Sequence, residues 1–402
     1  MERRIVFELT RSFFGIPLSP EASEALPMGV DWARAVQVAR AHGVGSICHE
    51  ALVRLQHGTP GLPEARGSFL RERHFNAYRN QRALRDLADI LDLLRGRGIH
   101  PVVLKGPSLA LALYGDPALR PFADLDLLVD VGDIPGACQA LSTMGYSERG
   151  EILTGWEAEN LVSHLRILQA KDRVPVEVHF RLFPRAMPLF PDEEGVRDRA
   201  IWGEFQGWKF LRLAPADELL YLCGHIVRHD SDAHRLLWFC DLALLEGTLG
   251  DAEKMAFETS LARAAHREAL LGALRTARAW FIKGAGDGAY DLEAVMDSPM
   301  TLGERLIPEA VTRMKLLMAR MPTWGVRLRF VTSYCFPRLD YLREYHGAEK
   351  GWQALLWRVR RPLWALFRLL RSALVHWCRP ARRPARNARP GQGPGPTSRP
   401  PR

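Results

Sequence analysis

The sequence predicts an α+β protein in which two helical regions flank a central sheet. Three changes along the chain support this prediction. Residues 1–98 show helical periodicity, residues 99–214 contain short apolar segments of strand type, and residues 215–350 return to helical periodicity. A basic amphipathic helix is predicted over residues 351–378. Residues 379–402 are rich in Arg and Pro, and we expect them to be disordered because they cannot form a core.

The first helical region is predicted to end in one long helix. An earlier helical segment begins at Asp31 and is interrupted near Gly43. The long helix is predicted over residues 65–97, where Gly96 and Gly98 end it. Its buried stripe is predicted to consist of Leu84, Leu87, Ile90, Leu91 and Leu94.

The central region is predicted to alternate strands with helices. We expect strands at residues 99–104, 175–182 and 208–213 and one that contains Asp124 to Asp126, a helix at 134–145, and alternating segments near 146–153 and 161–170. Three helices are then predicted, at residues 215–229, 234–247 and 255–281.

The positive net charge belongs to the C-terminal end of the chain. The 402 residues carry a formal net charge of +9, but residues 350–402 contain 13 Lys and Arg and no Asp or Glu. Removing these 13 charges leaves −4 for residues 1–349, so the body of the protein is slightly acidic. A nucleic-acid partner is therefore possible but not favoured.

Cysteine usage and hydropathy favour a cytoplasmic protein. The six cysteines are scattered and include no CxxC pair, which argues against a cysteine zinc site and favours a reducing compartment. No run of about 18 uncharged apolar residues is present, so we expect no transmembrane helix. The high Ala, Arg and Pro usage is typical of a bacterium with a GC-rich genome.

Three acidic residues are candidates for a metal site. Asp124 and Asp126 are two positions apart in a predicted strand and therefore project to the same face. Two such carboxylates repel each other unless cations lie between them. Glu177 and His179 share one face of another predicted strand, so Glu177 completes a three-carboxylate cluster if the two strands are neighbours. Such a cluster suits two Mg²⁺ ions and phosphate oxygens.

A turn with phosphate-binding character precedes the two aspartates. The turn Lys105-Gly106-Pro107-Ser108 has the Pro and Ser that are typical of a helix N-terminus, whose free N–H groups suit an anionic phosphate. Gly106 would allow close approach of the backbone, and Lys105 would add a positive charge. Arg120 could bind the same phosphates as a fork or pair with a nearby acid such as Asp116.

These motifs resemble a known family. The pattern LKG, LYGDPALR and DLDLLV, followed by VEVHFRL, resembles the bacterial uncharacterised nucleotidyltransferase family of the DNA polymerase beta-like nucleotidyltransferase superfamily, over roughly residues 30–250. The resemblance implies a polymerase beta-like mixed sheet. It implies that the nucleotide-binding turn contains Gly106 and Ser108 and that the metal ligands are Asp124, Asp126 and Glu177. The chain departs from the superfamily in having Lys-Gly-Pro-Ser at the turn and Glu as its third acid.

The resemblance also implies an activity. Such an enzyme uses two Mg²⁺ ions to transfer an NMP from an NTP, ATP by default, to a hydroxyl or similar group of a small molecule or protein, with release of pyrophosphate. Lys105, Ser108 and Arg120 would stabilise the leaving phosphates. His179 would orient the acceptor or a metal-bound carboxylate. The alternative is a non-catalytic nucleotide- or RNA-binding or regulatory module with the same fold.

A histidine set in the next helix has two interpretations. His225 and His229 are four residues apart and share a helix face, as metal ligands require, and His234 follows. The favoured interpretation is that these histidines pack between helices and form hydrogen bonds to groups such as Asp241. A metal site is less favoured, because the glutamate of an HExxH motif is missing between His225 and His229. The resemblance implies that this helix faces the catalytic cleft.

The basic amphipathic helix has three interpretations. Residues 352–378 carry Trp, Leu and Phe side chains at helical spacing, with Arg358, Arg361 and Arg368 on the opposing side. The helix could dock on the slightly acidic body, contact an anionic membrane surface peripherally, or contact nucleic acid. Docking is favoured because the body offers the complementary charge.

Overall fold

The fold is that of a mixed sheet covered by helices, seen in a computed structural model of the chain. The structure describes residues 1–26, 29–55, 62–149, 162–165, 167–205, 207–229 and 234–284, together with 160, 288, 291–297, 318, 321, 323–336 and five positions between 352 and 363. The predicted helix at 351–378, apart from those five positions, and the tail at 379–402 lie outside the described residues. The predicted α+β fold with a mixed sheet is confirmed.

Five helices precede the sheet. They are α1 (Glu2–Phe13), α2 (Pro20–Ala25), α3 (Trp32–Ala41), α4 (Gly45–Arg54) and α5 (Leu62–Arg95). Asp31 begins α3 by accepting the backbone N–H of Arg34 at 2.9 Å. Gly43 separates α3 from α4 with a φ of 72°, which favours glycine. The five residues of the predicted stripe of α5 are all buried, so that prediction is confirmed.

Seven strands form one sheet in the order β3-β4-β5-β2-β1-β7-β6. They are β1 (Val102–Leu104), β2 (Leu125–Leu128), β3 (Ser147–Arg149), β4 (Ile167–Gln169), β5 (Val176–His179), β6 (Ile201–Phe205) and β7 (Trp208–Arg212). β2 pairs antiparallel with β1 and parallel with β5, and the second pairing sets Asp126 beside Glu177. The two strands that carry Asp126 and Glu177 are therefore neighbours, as a shared acidic cluster requires.

In the described part of the chain, two further α-helices lie between strands, and six follow the last strand. They are α6 (Gly106–Leu113), α7 (Ile134–Thr143), α8 (Pro215–Arg228), α9 (Leu236–Thr248), α10 (Asp251–Arg263), α11 (Arg267–Phe281), α12 (Leu292–Asp297) and α13 (Trp324–Cys335). The single helix predicted over residues 255–281 is wrong, because the extended residue Ala264 (φ −73°, ψ 133°) ends α10 before α11 begins. No helix among the described residues combines the length and apolarity needed to cross a membrane.

The two faces of the sheet belong to different cores. Leu125, Leu127 and Val129 lie in a core with α5 and α7, on the face predicted for them. Leu104 and Leu128 lie in a second core, which also contains side chains of the N-terminal helices and of α8, α9 and α11. Because side chains alternate along a strand, Asp126 projects toward this second core. The acidic residues thus lie between the sheet and the helices that pack over it.

Candidate active site

The turn between β1 and α6 holds a strained lysine. Lys105 has φ 43° and ψ −117°, a conformation that a residue with a side chain adopts at a cost of about 1–3 kcal/mol. At Gly106 a Cβ would lie 3.1 Å from the Cβ of Phe122, closer than an ordinary contact, so glycine suits this position. The Lys105 Nζ lies 3.2 Å from Oδ2 of Asp126. The strained turn therefore supplies a positive charge to the acidic cluster.

Two carboxylates and an imidazole converge on the face of the sheet. Asp126 and Glu177 are partners in the parallel register of β2 and β5, so their side chains emerge side by side. The Nε2 atom of His179 lies 2.8 Å from Oδ1 of Asp126 and 3.5 Å from Oε2 of Glu177. Ligand atoms of these three residues all lie within 4.8 Å of one another, a spacing compatible with one metal ion.

The neighbouring charges and hydrogen bonds favour the charged forms of Asp126 and His179. Burial alone would raise the pKa of Asp126, which is 2% exposed, but the Lys105 ammonium and the His179 hydrogen bond hold its pKa well below the usual range. Burial would lower the pKa of His179, but its bonds with Asp126 and Glu177 raise it. We refer to Lys105, Asp124, Asp126, Glu177 and His179 as the cleft cluster.

Asp124 lies at the wall of a cavity beside the three converging residues. It immediately precedes β2 and is partly buried. Burial, and then repulsion from Asp126, raise the pKa of Asp124 to about 6. The cavity has a volume of about 250 Å³, with Lys105, Asp124 and Asp126 on one side and residues of α8 and α9 on the other. Of the two predicted aspartates, the metal-compatible group contains Asp126, and Asp124 is its neighbour in the cleft.

Ser108 and Arg120 already have buried protein partners. Ser108 is fully buried and bonds to Glu218 at 3.2 Å. The guanidinium of Arg120 borders the cavity but forms a two-pronged pair with Asp241, at 2.9 and 2.7 Å, and not with Asp116. The Arg120 Nη1 also donates to the carbonyl of Gly106 at 3.2 Å. The phosphate contacts of Ser108 and Arg120 stay predictions.

These partners belong to one group beneath the cleft. The hydroxyl of Tyr114 lies 2.7 Å from Oδ1 of Asp241, and Arg212 donates to Glu218 at 2.8 Å. We call this set the buried cluster; it consists of Ser108, Tyr114, Arg120, Arg212, Glu218 and Asp241. Each of its acids has an arginine partner, so its charges are balanced.

The histidines of α8 pack against an aromatic ring. The rings of His225 and His229 are 4.6 Å apart, and both contact Trp238 of α9, at 4.7 and 5.4 Å between centroids. Asp241 pairs with Arg120 and Tyr114, so it is not the predicted histidine partner. Both histidines line the same cavity as Asp124 and Asp126.

Three residues at or near the cleft were not found from the sequence. His164 forms an isolated β-bridge with His179, and its Nε2 lies 3.8 Å from Oε2 of Glu177. Arg235 lines the cavity, and Arg79 of α5 lies within electrostatic range of Asp124. No local pattern marks them: Arg79 resembles any solvated residue of a long amphipathic helix, and His164 and Arg235 follow no spacing rule.

The donor set fits a hard divalent cation. Carboxylate oxygens are the preferred protein ligands of Mg²⁺ and Mn²⁺, and the cleft cluster has three carboxylates against one ammonium. Their excess negative charge is reduced when a cation binds. The Nε2 atom of His179 bonds to Asp126 and lies 3.5 Å from Oε2 of Glu177, so His179 is suited to fixing the orientation of both carboxylates.

A mixed sheet that joins an acidic, metal-compatible cluster to a Lys-Gly turn is an arrangement suited to enzymes that transfer phosphorus-containing groups. The family comparison agrees with this class. The chain belongs to the uncharacterised nucleotidyltransferase family, whose model matches residues 28–282. The match includes α3 to α11 and every strand of the sheet. None of the curated proteins matches the chain.

Proposed function

We propose that the protein is a Mg²⁺-dependent nucleotidyltransferase that moves an NMP from an NTP, ATP by default, to a hydroxyl or similar group of a small molecule or protein. One observation carries the proposal: Asp126, Glu177 and His179 converge in a cleft next to the Lys105 turn. The family membership supports nucleotidyl transfer in general. The free thiols of the described cysteines support a reducing, cytoplasmic setting.

Each residue of the cleft cluster has a role in this proposal. Asp124, Asp126 and Glu177 would hold the divalent ions, which supply positive charge to the phosphates and lower the pKa of the attacking hydroxyl when bound. Glu177, which is only partly buried, accepts the acceptor proton as the acceptor oxygen bonds to the α-phosphorus and the bond to pyrophosphate breaks. Lys105 stabilises the charge that develops on the phosphates.

The residues of the buried cluster have positioning roles in this proposal. Arg120 is held by Asp241 and bonds to the Gly106 carbonyl, so it fixes the turn from which Lys105 projects. Ser108 is bonded to Glu218 and fixes the first turn of α6. His179 orients the carboxylates of Asp126 and Glu177.

The test is transfer of label from α-³²P-labelled NTPs, with Mg²⁺, to a pool of metabolites and to protein. Asp126→Asn should reduce transfer by about 10³-fold, because it removes a carboxylate that holds the ion and several kcal/mol of charge stabilisation. Asp130→Asn is the matched control, since this residue is exposed and lies outside the cleft. It should leave transfer unchanged, and both variants should keep the wild-type circular dichroism spectrum.

Two results would contradict the proposal. Transfer by a correctly folded Asp126→Asn variant at the wild-type rate would remove the acidic cluster from the mechanism. Binding of NTP by the wild-type protein without transfer to any acceptor class would favour the non-catalytic module.

A further inference from the structure

The cleft contains an arginine without a protein partner. Arg235 lies at the start of α9, is exposed, and lines the cavity together with Lys105 and Asp124. Among the described residues, no hydrogen bond or ion pair reaches its guanidinium, whereas Arg120 and Arg212 are both paired with acids. A guanidinium left open at a cavity wall is a binding group for an anion.

A second arginine approaches the same place from α5. Arg79 lies over the ring of Phe75, 5.8 Å from its centroid, and its buried Nε has no hydrogen-bond partner among the described residues. The next residue, Asn80, donates to the backbone carbonyl of Arg120 at 2.8 Å, which fixes this turn of α5 against the cavity wall. Burial of an unpaired N–H is unfavourable unless a ligand completes the hydrogen bond.

Arg79 lies within electrostatic range of both Arg235 and Asp124. Burial lowers the pKa of Arg79, Glu72 opposes this change, and the neighbouring Arg235 lowers the pKa further. The Asp124 carboxylate acts on both guanidinium groups. One carboxylate does not balance two guanidinium groups, so a multiply charged anion would stabilise the pair.

We propose that Arg79 and Arg235 bind the β- and γ-phosphates of the nucleotide, an inference that rests on the proposed function. The α-phosphorus must lie at the carboxylates, where the transfer occurs, so the terminal phosphates would extend from there toward Arg235, which lines the same cavity. Arginine forks match phosphate oxygens in geometry and charge. The volume of about 250 Å³ is below the roughly 300–1,000 Å³ of sites for larger organic ligands, so it suits a phosphate chain better than a whole nucleotide.

The test uses anions that carry no base, so it does not depend on which NTP the enzyme prefers. Isothermal titration calorimetry with Mg²⁺ would compare inorganic tripolyphosphate with inorganic phosphate. Arg235→Ala and Arg79→Ala should each weaken tripolyphosphate binding about 10- to 100-fold, the usual effect of losing a charge-assisted contact, with little change for phosphate. Arg235→Lys should recover part of the loss, because it keeps the charge but not the fork.

Arg85→Ala is the matched control, since Arg85 is an exposed arginine on the same helix and outside this cavity. It should bind tripolyphosphate as the wild type does. Equal losses of tripolyphosphate affinity in Arg85→Ala and Arg79→Ala would show that only the total positive charge matters, and they would overturn the inference. Wild-type affinity in both Arg235→Ala and Arg79→Ala would also overturn it.

The closing experiment separates this inference from the proposed function. The KM for NTP and the kcat of transfer would be measured for the same variants. A raised KM for NTP in Arg235→Ala and Arg79→Ala agrees with both the phosphate site and the nucleotidyltransferase function. Unchanged KM values with active transfer overturn the phosphate site and leave the nucleotidyltransferase in place. Absence of both NTP binding and transfer in the wild-type protein overturns both.

Discussion

The cleft cluster and the buried cluster meet at the Lys105–Gly106 turn, and they differ in charge balance. The buried cluster pairs Asp241 with Arg120 and Glu218 with Arg212. The cleft cluster has three carboxylates, one ammonium and one imidazole, and it opens into a cavity. Charges that are balanced inside the protein maintain geometry, whereas charges in excess at a cavity are available to a ligand.

A hydrogen bond links the buried cluster to the turn that carries Lys105. The Nη1 atom of Arg120 donates to the carbonyl of Gly106, directly after the strained Lys105. The fixed pair beneath thus supports the turn above, and the strain at Lys105 is maintained by surrounding contacts. We therefore expect substitutions in the buried cluster to act first on stability and those in the cleft cluster to act first on ligand binding and transfer.

The largest effect is expected from Asp241→Asn. This change leaves the buried guanidinium of Arg120 without its carboxylate, and breaking such a pair costs about 3–5 kcal/mol of unfolding free energy. Urea denaturation measures the loss. Glu268→Gln is the control, because its pair with Arg275 is exposed and should change stability by less than about 1 kcal/mol. Equal losses in the two variants would show that the buried cluster is not a structural element.

A smaller effect is expected from His179→Leu. Losing the Nε2 donor frees the carboxylates of Asp126 and Glu177 to reorient, which typically weakens metal binding about 10- to 100-fold. His179→Gln places an N–H group near the same position and should recover much of the affinity. Titration with Mn²⁺, followed by electron paramagnetic resonance, measures both. Equal affinity in His179→Leu and the wild-type protein would exclude a role of His179 in orienting the carboxylates.

The smallest effect is expected in the pH dependence of Glu218→Gln. Burial raises the pKa of Glu218. The folded protein therefore binds the proton of the Glu218 carboxyl group more tightly than the unfolded chain does. The stabilising contribution is complete below the ordinary pKa of 4.5 and is lost as the pH rises through the folded pKa. The wild-type protein should lose stability relative to Glu218→Gln as the pH rises above about 4.5. Melting temperatures between pH 4 and 8 measure this, and a constant difference between the two proteins would contradict it.

Local patterns in the sequence predicted much of the architecture. The stripe of α5 follows from helical periodicity, and the inward Leu125 and Leu127 follow from strand alternation. The cluster of Asp126 and Glu177 was predicted on the condition that their strands are neighbours, and β2 and β5 do pair. The edge strand β6 was missed, because its residues from Ile201 to Phe205 are largely exposed and give no buried alternation.

The partners of the polar residues could not be predicted from the sequence. Arg120 and Asp241 are 121 residues apart, and Ser108 and Glu218 are 110 apart. Pairing at such separations depends on how α8 and α9 pack over the sheet, which no local pattern encodes. The same reason hid Arg235, since an unpaired arginine and a paired one look alike in a sequence.

The packing of α1 has a consequence for how the protein is made. Phe7 contacts Trp280 and Phe281, and Arg11 donates to the carbonyl of Trp280, 269 residues further along the chain. Residues leave the ribosome in order, at about 5–20 per second, so the part of α1 that contacts Trp280 and Phe281 remains without this partner for roughly 15–60 s. The contacts between α1 and α11 are therefore completed late, and a nascent chain that stops before α11 exposes Phe7 and its neighbours to aggregation.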